Sequence, residues 1–142
     1  MSEILQLKIG LQGLNTWQKI FIESDATFQD LHKFVQEIYE WEDHHLHEFL
    51  VNDEVRIAPA DKTDSEEAEN EMLEDLRTRD DKDFFEESEI SLSQYLQKRG
   101  DSLVYRYDFG NDRRYNIVLE KMKDREYIQD YEEFPVKVED NF

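Results

Sequence analysis

At 142 residues the chain has the length of one domain, enough for a real core and too little for two. It has no cysteine, which rules out disulfides and thiolate metal sites, and no apolar segment approaches the roughly 20 residues that span a bilayer. A formal charge of −19 argues against direct binding to nucleic-acid phosphates or anionic membranes.

Apolar residues make up 38% of the chain and charged ones 37%, so the core must draw on nine Phe, seven Tyr and two Trp. The opening Met1-Ser2-Glu3-Ile4-Leu5 lacks the basic start and apolar run of a secretory signal, and the expected location is the reducing cytoplasm. The acidity is uneven. Residues 61–89 hold 14 acidic and 4 basic side chains, and residues 124–142 hold 7 and 2, so an insertion at about 60–83 and a tail at about 124–142 carry most of the excess.

Residues 4–11 alternate with period two, which places Leu5, Leu7, Ile9 and Leu11 on one face of a strand. Gly13, Asn15 and Thr16 supply a turn, and Trp17 to Ile22 return as the second strand of a hairpin. A helix over 27–40 follows, capped by Thr27 or Asp25, with Phe28, Leu31, Phe34, Val35 and Ile38 as its apolar stripe. His32 falls at the edge of that stripe, as a boundary residue with a hydrogen bond.

Leu46 to Val51 and Val55 to Ala58 read as strands around an Asn52-Asp53 turn, and Pro59 ends the second. The acidic insertion cannot bury enough area to offset its ordering entropy and is expected to be mobile, apart from a short helix marked by Met72, Leu73 and Leu76. Phe84-Phe85 re-anchor the chain. Ser91 is placed to cap a helix over Leu92 to Lys98, with Gly100 just past its end. Leu103 to Phe109 and Tyr115 to Met122 form a closing hairpin across Gly110-Asn111-Asp112, and Phe134 to Val138 is a last strand without an evident partner. The order ββα, ββ, short helix, ββ predicts a single α+β domain over 1–142. Its helices pack on a largely antiparallel sheet, with a likeness to the β-grasp.

Chemistry concentrates in Trp41-Glu42-Asp43-His44-His45-Leu46-His47-Glu48-Phe49. On a strand His45 and His47 share a face about 6–7 Å apart, with Asp43 in the same parity, so two imidazoles and a carboxylate can reach one divalent transition metal. A structural zinc site needs four ligands and a catalytic one three, and Phe49 and Val51 continue the same face as apolar residues. The competing reading sets these histidines at the sheet rim, hydrogen-bonded to carboxylates and backbone. In Tyr105-Arg106-Tyr107-Asp108-Phe109-Gly110-Asn111-Asp112 the aromatics share one face as core, and Asp108 and Asp112 either organise the turn or, for Asp108, donate an oxygen to the ion. Asp108-Phe109-Gly110 also occurs in the kinase magnesium motif, but the chain has neither a Gly-rich loop nor a His-Arg-Asp sequence. Histidines clustered this tightly in a cysteine-free chain assemble no nucleophilic triad.

These two stretches together resemble the plasmid Ri ORF-three-like family, whose members are also labelled insertion-element passenger or TnpR-family proteins. Trp17, Asp30-Leu31-His32 and Lys98-Arg99-Gly100-Asp101 agree with it, and the likeness runs from about residue 4 to 122. The resemblance implies an α+β fold, often found near mobile elements or in phage, with no established reaction. The family continues after the Gly with Asp, a variable residue, Trp, a variable residue and His. This chain has Asn111, Asp112, Arg113, Arg114 and Tyr115 there.

Three functional classes follow. The first is a non-enzymatic interaction or accessory module with a basic protein partner. The second is a metal-binding, hydrolytic domain using His45, His47 and Asp43 or Asp108. The third is an acidic protein that imitates DNA to occupy a nucleic-acid-binding partner.

Overall fold

A computed structural model describes residues 3–41, 46–59, 82–108, 112–128 and 130–141. The alternating opening segment forms β1 (Glu3–Leu11), which turns at Gly13, φ +84°, into β2 (Trp17–Glu23). Leu5, Leu7, Ile9, Ile20 and Ile22 are all fully buried on the same side. Helix α1 (Phe28–Ile38) begins at Thr27, whose Oγ1 accepts the Asp30 amide at 3.1 Å while Asp30 Oδ2 accepts the Thr27 amide at 3.0 Å. This reciprocal cap satisfies two amides that the helix start leaves over.

The chain continues through β3 (His47–Val51), β4 (Val55–Ala58), β5 (Asp83–Glu86), β6 (Ser102–Tyr107), β7 (Arg113–Asp124) and β8 (Val136–Asp140). Asn52 and Asp53 turn β3 into β4 with φ of +52° and +61°, the paired positive φ that suits a tight hairpin. The eight strands form one sheet in the order β5-β4-β3-β6-β7-β1-β2-β8. Every pairing is antiparallel except β4 with β5. The fold is α+β, with α1 on a mixed, mostly antiparallel sheet. Its strand order lends no support to a β-grasp likeness.

The register aligns Ile57, Phe49, Tyr105, Tyr115 and Leu11 across β4, β3, β6, β7 and β1. Against this face α1 sets Phe28, Leu31 and Val35, all fully buried. Phe34 and Ile38, expected within the stripe, are only partly buried on its border, and His32, expected at its edge, is buried together with Gln36.

Three expectations change. Residues 92–98 form no α-helix: a 3-10 turn covers Leu92–Gln94 only, and Ser91 bridges Thr27 in place of capping. The reason is local. Asp101 Oδ2 accepts the Gln97 and Lys98 amides, and the Gly100 amide donates to Leu119 O, so the chain is drawn into β6 before a second helical turn can close. The tail strand has a partner, since β8 lies along β2. One further strand, β5, begins where the acidic insertion ends. The insertion itself to residue 81, with Met72, Leu73 and Leu76, lies outside the described residues.

Candidate functional site

The two signature stretches are hydrogen-bonded neighbours. His47 pairs with Tyr107, Glu48 with Arg106 and Phe49 with Tyr105, and the Asp108 amide donates to Leu46 O at 3.1 Å. Strand alternation then divides their side chains between the two faces of the sheet.

On the helix-facing side lies a polar cluster inside the core. His32, Gln36, His47 and Glu87 are each 5% exposed or less, and Tyr105 is fully buried. His32 and Gln36 stand one helical turn apart on α1, so both reach the same sheet residue. Gln36 Nε2 donates to the Tyr105 hydroxyl at 2.9 Å, and that hydroxyl lies 2.7 Å from His32 Nδ1. The Tyr105 oxygen thus serves α1 twice, through the Gln36 amide and the His32 ring. The His32 and His47 rings stack at 3.4 Å, only 6° from parallel, and His47 Nε2 meets Glu87 Oε1 at 2.5 Å.

Glu87 arrives by way of the backbone. Its amide donates to Ala58 O at the end of β4, and its carbonyl accepts the Gln29 amide at the start of α1. Phe28 likewise donates to Ile90 O. The segment after β5 thus satisfies free amides of the helix start and carries a carboxylate beneath the helix.

The opposite face carries a charge ladder. Glu48, 1% exposed, takes Arg56 Nε at 2.8 Å and Arg106 at 3.2 Å. Arg106 and Arg114 both bond Asp112 Oδ1, at 2.7 and 3.1 Å, and hold that carboxyl below the usual carboxylate range. Asp108 and Asp112 both take positive φ, and the Asp112 amide donates to Asp108 O, closing the β6–β7 connection.

Beyond the histidines the aromatic residues continue the packing. The Trp41 amide reaches back to Gln36 O and that of Glu40, φ +58°, to Glu37 O, so the chain leaves α1 in a Schellman-type turn. Trp41 then stacks on Tyr107 at 4.7 Å and on Tyr39 at 4.7 Å. Tyr115 packs edge-on to Trp41, and burial pushes its phenol pKa up. Burial first, then the neighbouring Tyr115, pushes Tyr39 up to about 12 against a lowering hydrogen bond from Gln18.

Of the residues named from sequence, Asp43 and His45 lie outside the described residues. His47 faces inward beside His32, not at the rim, and Asp108 ends β6 beside Leu46. Among the described residues no three His, Asp or Glu side chains are gathered as a metal would need. Sequence reading missed Glu87, one acid among 36, and Gln36, whose polarity set it outside the apolar stripe. An imidazole, a phenol and a carboxylate are acid–base groups. Here they are buried as two hydrogen-bonded pairs, His32 with Tyr105 and His47 with Glu87, joined by the stacked imidazoles between α1 and β3.

Among the described residues, one α-helix on an eight-stranded mixed sheet, with the two signature stretches paired on neighbouring inner strands, defines the class of protein. The chain belongs to the plasmid pRiA4b ORF-3-like protein family, whose model matches residues 3–139. It is similar to the crystal structure of a protein of unknown function, MM3350 from Methanosarcina mazei Go1, at 26% identity and a TM-score of 0.74. That likeness covers 99% of this chain and 70% of the other. No curated protein matches the chain.

Proposed function

We propose that the protein is a non-enzymatic interaction module, an accessory protein of mobile elements or phage that acts in the cytoplasm on a basic protein partner. The observation carrying this reading is the burial of His32, His47, Glu87 and Tyr105 beneath α1, where His32 bonds Tyr105 and His47 bonds Glu87. Catalytic acids and bases must reach a substrate proton. The sign of the partner follows from the charge of −19, since a strong field of one sign speeds the approach of the other. Association should therefore slow steeply between low and physiological ionic strength. Neutralising the acids of 61–89 should lower the on-rate more than it raises the off-rate.

The competing reading is an ion held by His45 and His47 with Asp43 or Asp108. The register that brings Asp108 beside Leu46 favours it. Calorimetry of tag-free protein with zinc, nickel and manganese separates the two. The interaction reading expects no tight uptake. Tight uptake that weakens as pH falls through about 6.5 and disappears in His45→Ala/His47→Ala would replace it with a metal-dependent function. Should the double variant not fold, His45→Ala alone serves.

A further inference from the structure

A cavity of about 550 Å³ opens along α1 from Asp30 to Glu37, between the end of β2 and the corner at Phe134-Pro135. Its apolar lining is Ile22, Ala26, Phe34, Phe134 and Pro135. Its charged lining is Glu23, Asp25, Asp30 and Glu37 against the single ammonium of Lys33. The site is built from three separate elements, and its tail wall is clamped: Arg125 bonds Glu23 Oε1 at 3.0 Å, reaches Glu132 O at 3.3 Å and lies 5.4 Å over the Phe134 ring. Asp25, Asp30 and Glu37 are exposed, so their charge faces any incoming group.

We infer that this groove docks a basic polypeptide segment, one that inserts a single large apolar side chain between Phe34 and Phe134 and sets Lys or Arg beside Asp25, Asp30 and Glu37. The inference rests on the interaction reading and names the surface that reading lacks. Two arguments fix the occupant. The apolar floor within an acidic rim is the complement of an apolar residue flanked by cations, and it disfavours acidic peptides and nucleic acid alike. The volume falls in the range of pockets that enclose a few side chains, not a folded domain. β8 already pairs with β2, so β2 itself offers no edge for strand addition beside the groove. The segment is therefore held by inserted side chains.

The test begins with a random heptapeptide display library panned on the immobilised full chain at low salt. Sequences with one Leu, Ile, Phe or Met flanked by Lys or Arg should be enriched. A fluorescein-labelled synthetic copy of the enriched peptide is then titrated by anisotropy. Asp25→Asn/Glu37→Gln should weaken it roughly ten-fold while leaving thermal unfolding unchanged, since both residues are exposed. Phe34→Ala should weaken it further. Glu139→Gln, four residues along the chain from Pro135 and not among the lining residues, should leave affinity unchanged. Basic–apolar peptides whose affinity ignores both groove variants would overturn the groove while the basic-partner reading stands. Enrichment of acidic peptides, or of none, would overturn that reading as well.

Discussion

Tyr105 is the residue through which helix and sheet communicate, because one phenol oxygen serves both Gln36 and His32. Removing that oxygen leaves two buried polar groups short of a hydrogen bond without changing the shape of the core. Tyr105→Phe should therefore lower the free energy of unfolding in urea by about 1–3 kcal/mol. A loss below about 0.5 kcal/mol would mean that the phenol does not pin α1. Tyr39 gives a prediction of the opposite kind, in pH. Its pKa of about 12 in the folded chain lies above the ordinary 10, so the unfolded chain releases the proton first. The stability its neutral form contributes is present below pH 10 and is lost as pH rises toward 12. Unfolding followed by circular dichroism should show that alkaline loss, and Tyr39→Phe should reduce it. An unchanged profile would show that the group does not differ between the two states. Individual residues were unevenly legible. His47 shares parity with the buried Phe49, yet sequence alone reads it as a metal ligand or a rim residue, because the helix that covers it is remote in sequence. Nothing local distinguishes Glu87 from the acids around it, because its role comes from a backbone path between β4 and α1.

At the scale of elements, what could be read from sequence was what period and turn chemistry encode over short range. The hairpins β1–β2, β3–β4 and β6–β7, and α1 with its Thr27 cap, stand close to where alternation and turn residues placed them. The pairings of β4 with β5 and of β2 with β8 were not legible, since each joins a strand of an acidic segment, β5 or β8, to a partner distant in sequence. The parallel pair has a physical consequence. To run alongside β4 in the same direction, the chain must return the length of the strand, roughly 13 Å at 3.3 Å per residue, and parallel strands ordinarily need a connection of about a dozen residues or more. Replacing residues 61–81 with about a dozen Gly/Ser residues should leave unfolding cooperative. A bridge of two or three should free β5 and draw Glu87 away from His47, with loss of stability and broadened unfolding. If the long bridge also abolishes cooperativity, residues 61–81 belong to the core.

For the whole molecule, the two edges of the sheet are made from the two acidic segments: β5 closes 61–89, and β8 lies within 124–142. Charge at edges discourages pairing with another sheet, so the same residues that set the field also guard the backbone groups most open to aggregation. The strand order has a different consequence, in time. Hairpin β1–β2 and hairpin β3–β4 do not touch in the sheet; β6 and β7 stand between them, paired to β3 on one side and β1 on the other. A ribosome delivers the flanking hairpins first and the central one after residue 100. Until Ser102–Tyr107 has emerged β3 presents an unpaired edge, until Arg113–Asp124 has emerged β1 does, and α1 meanwhile has only fragments of the sheet on which to lie. The sheet is completed from its middle, late, and the nascent chain passes through its most association-prone state when two thirds of it has been made.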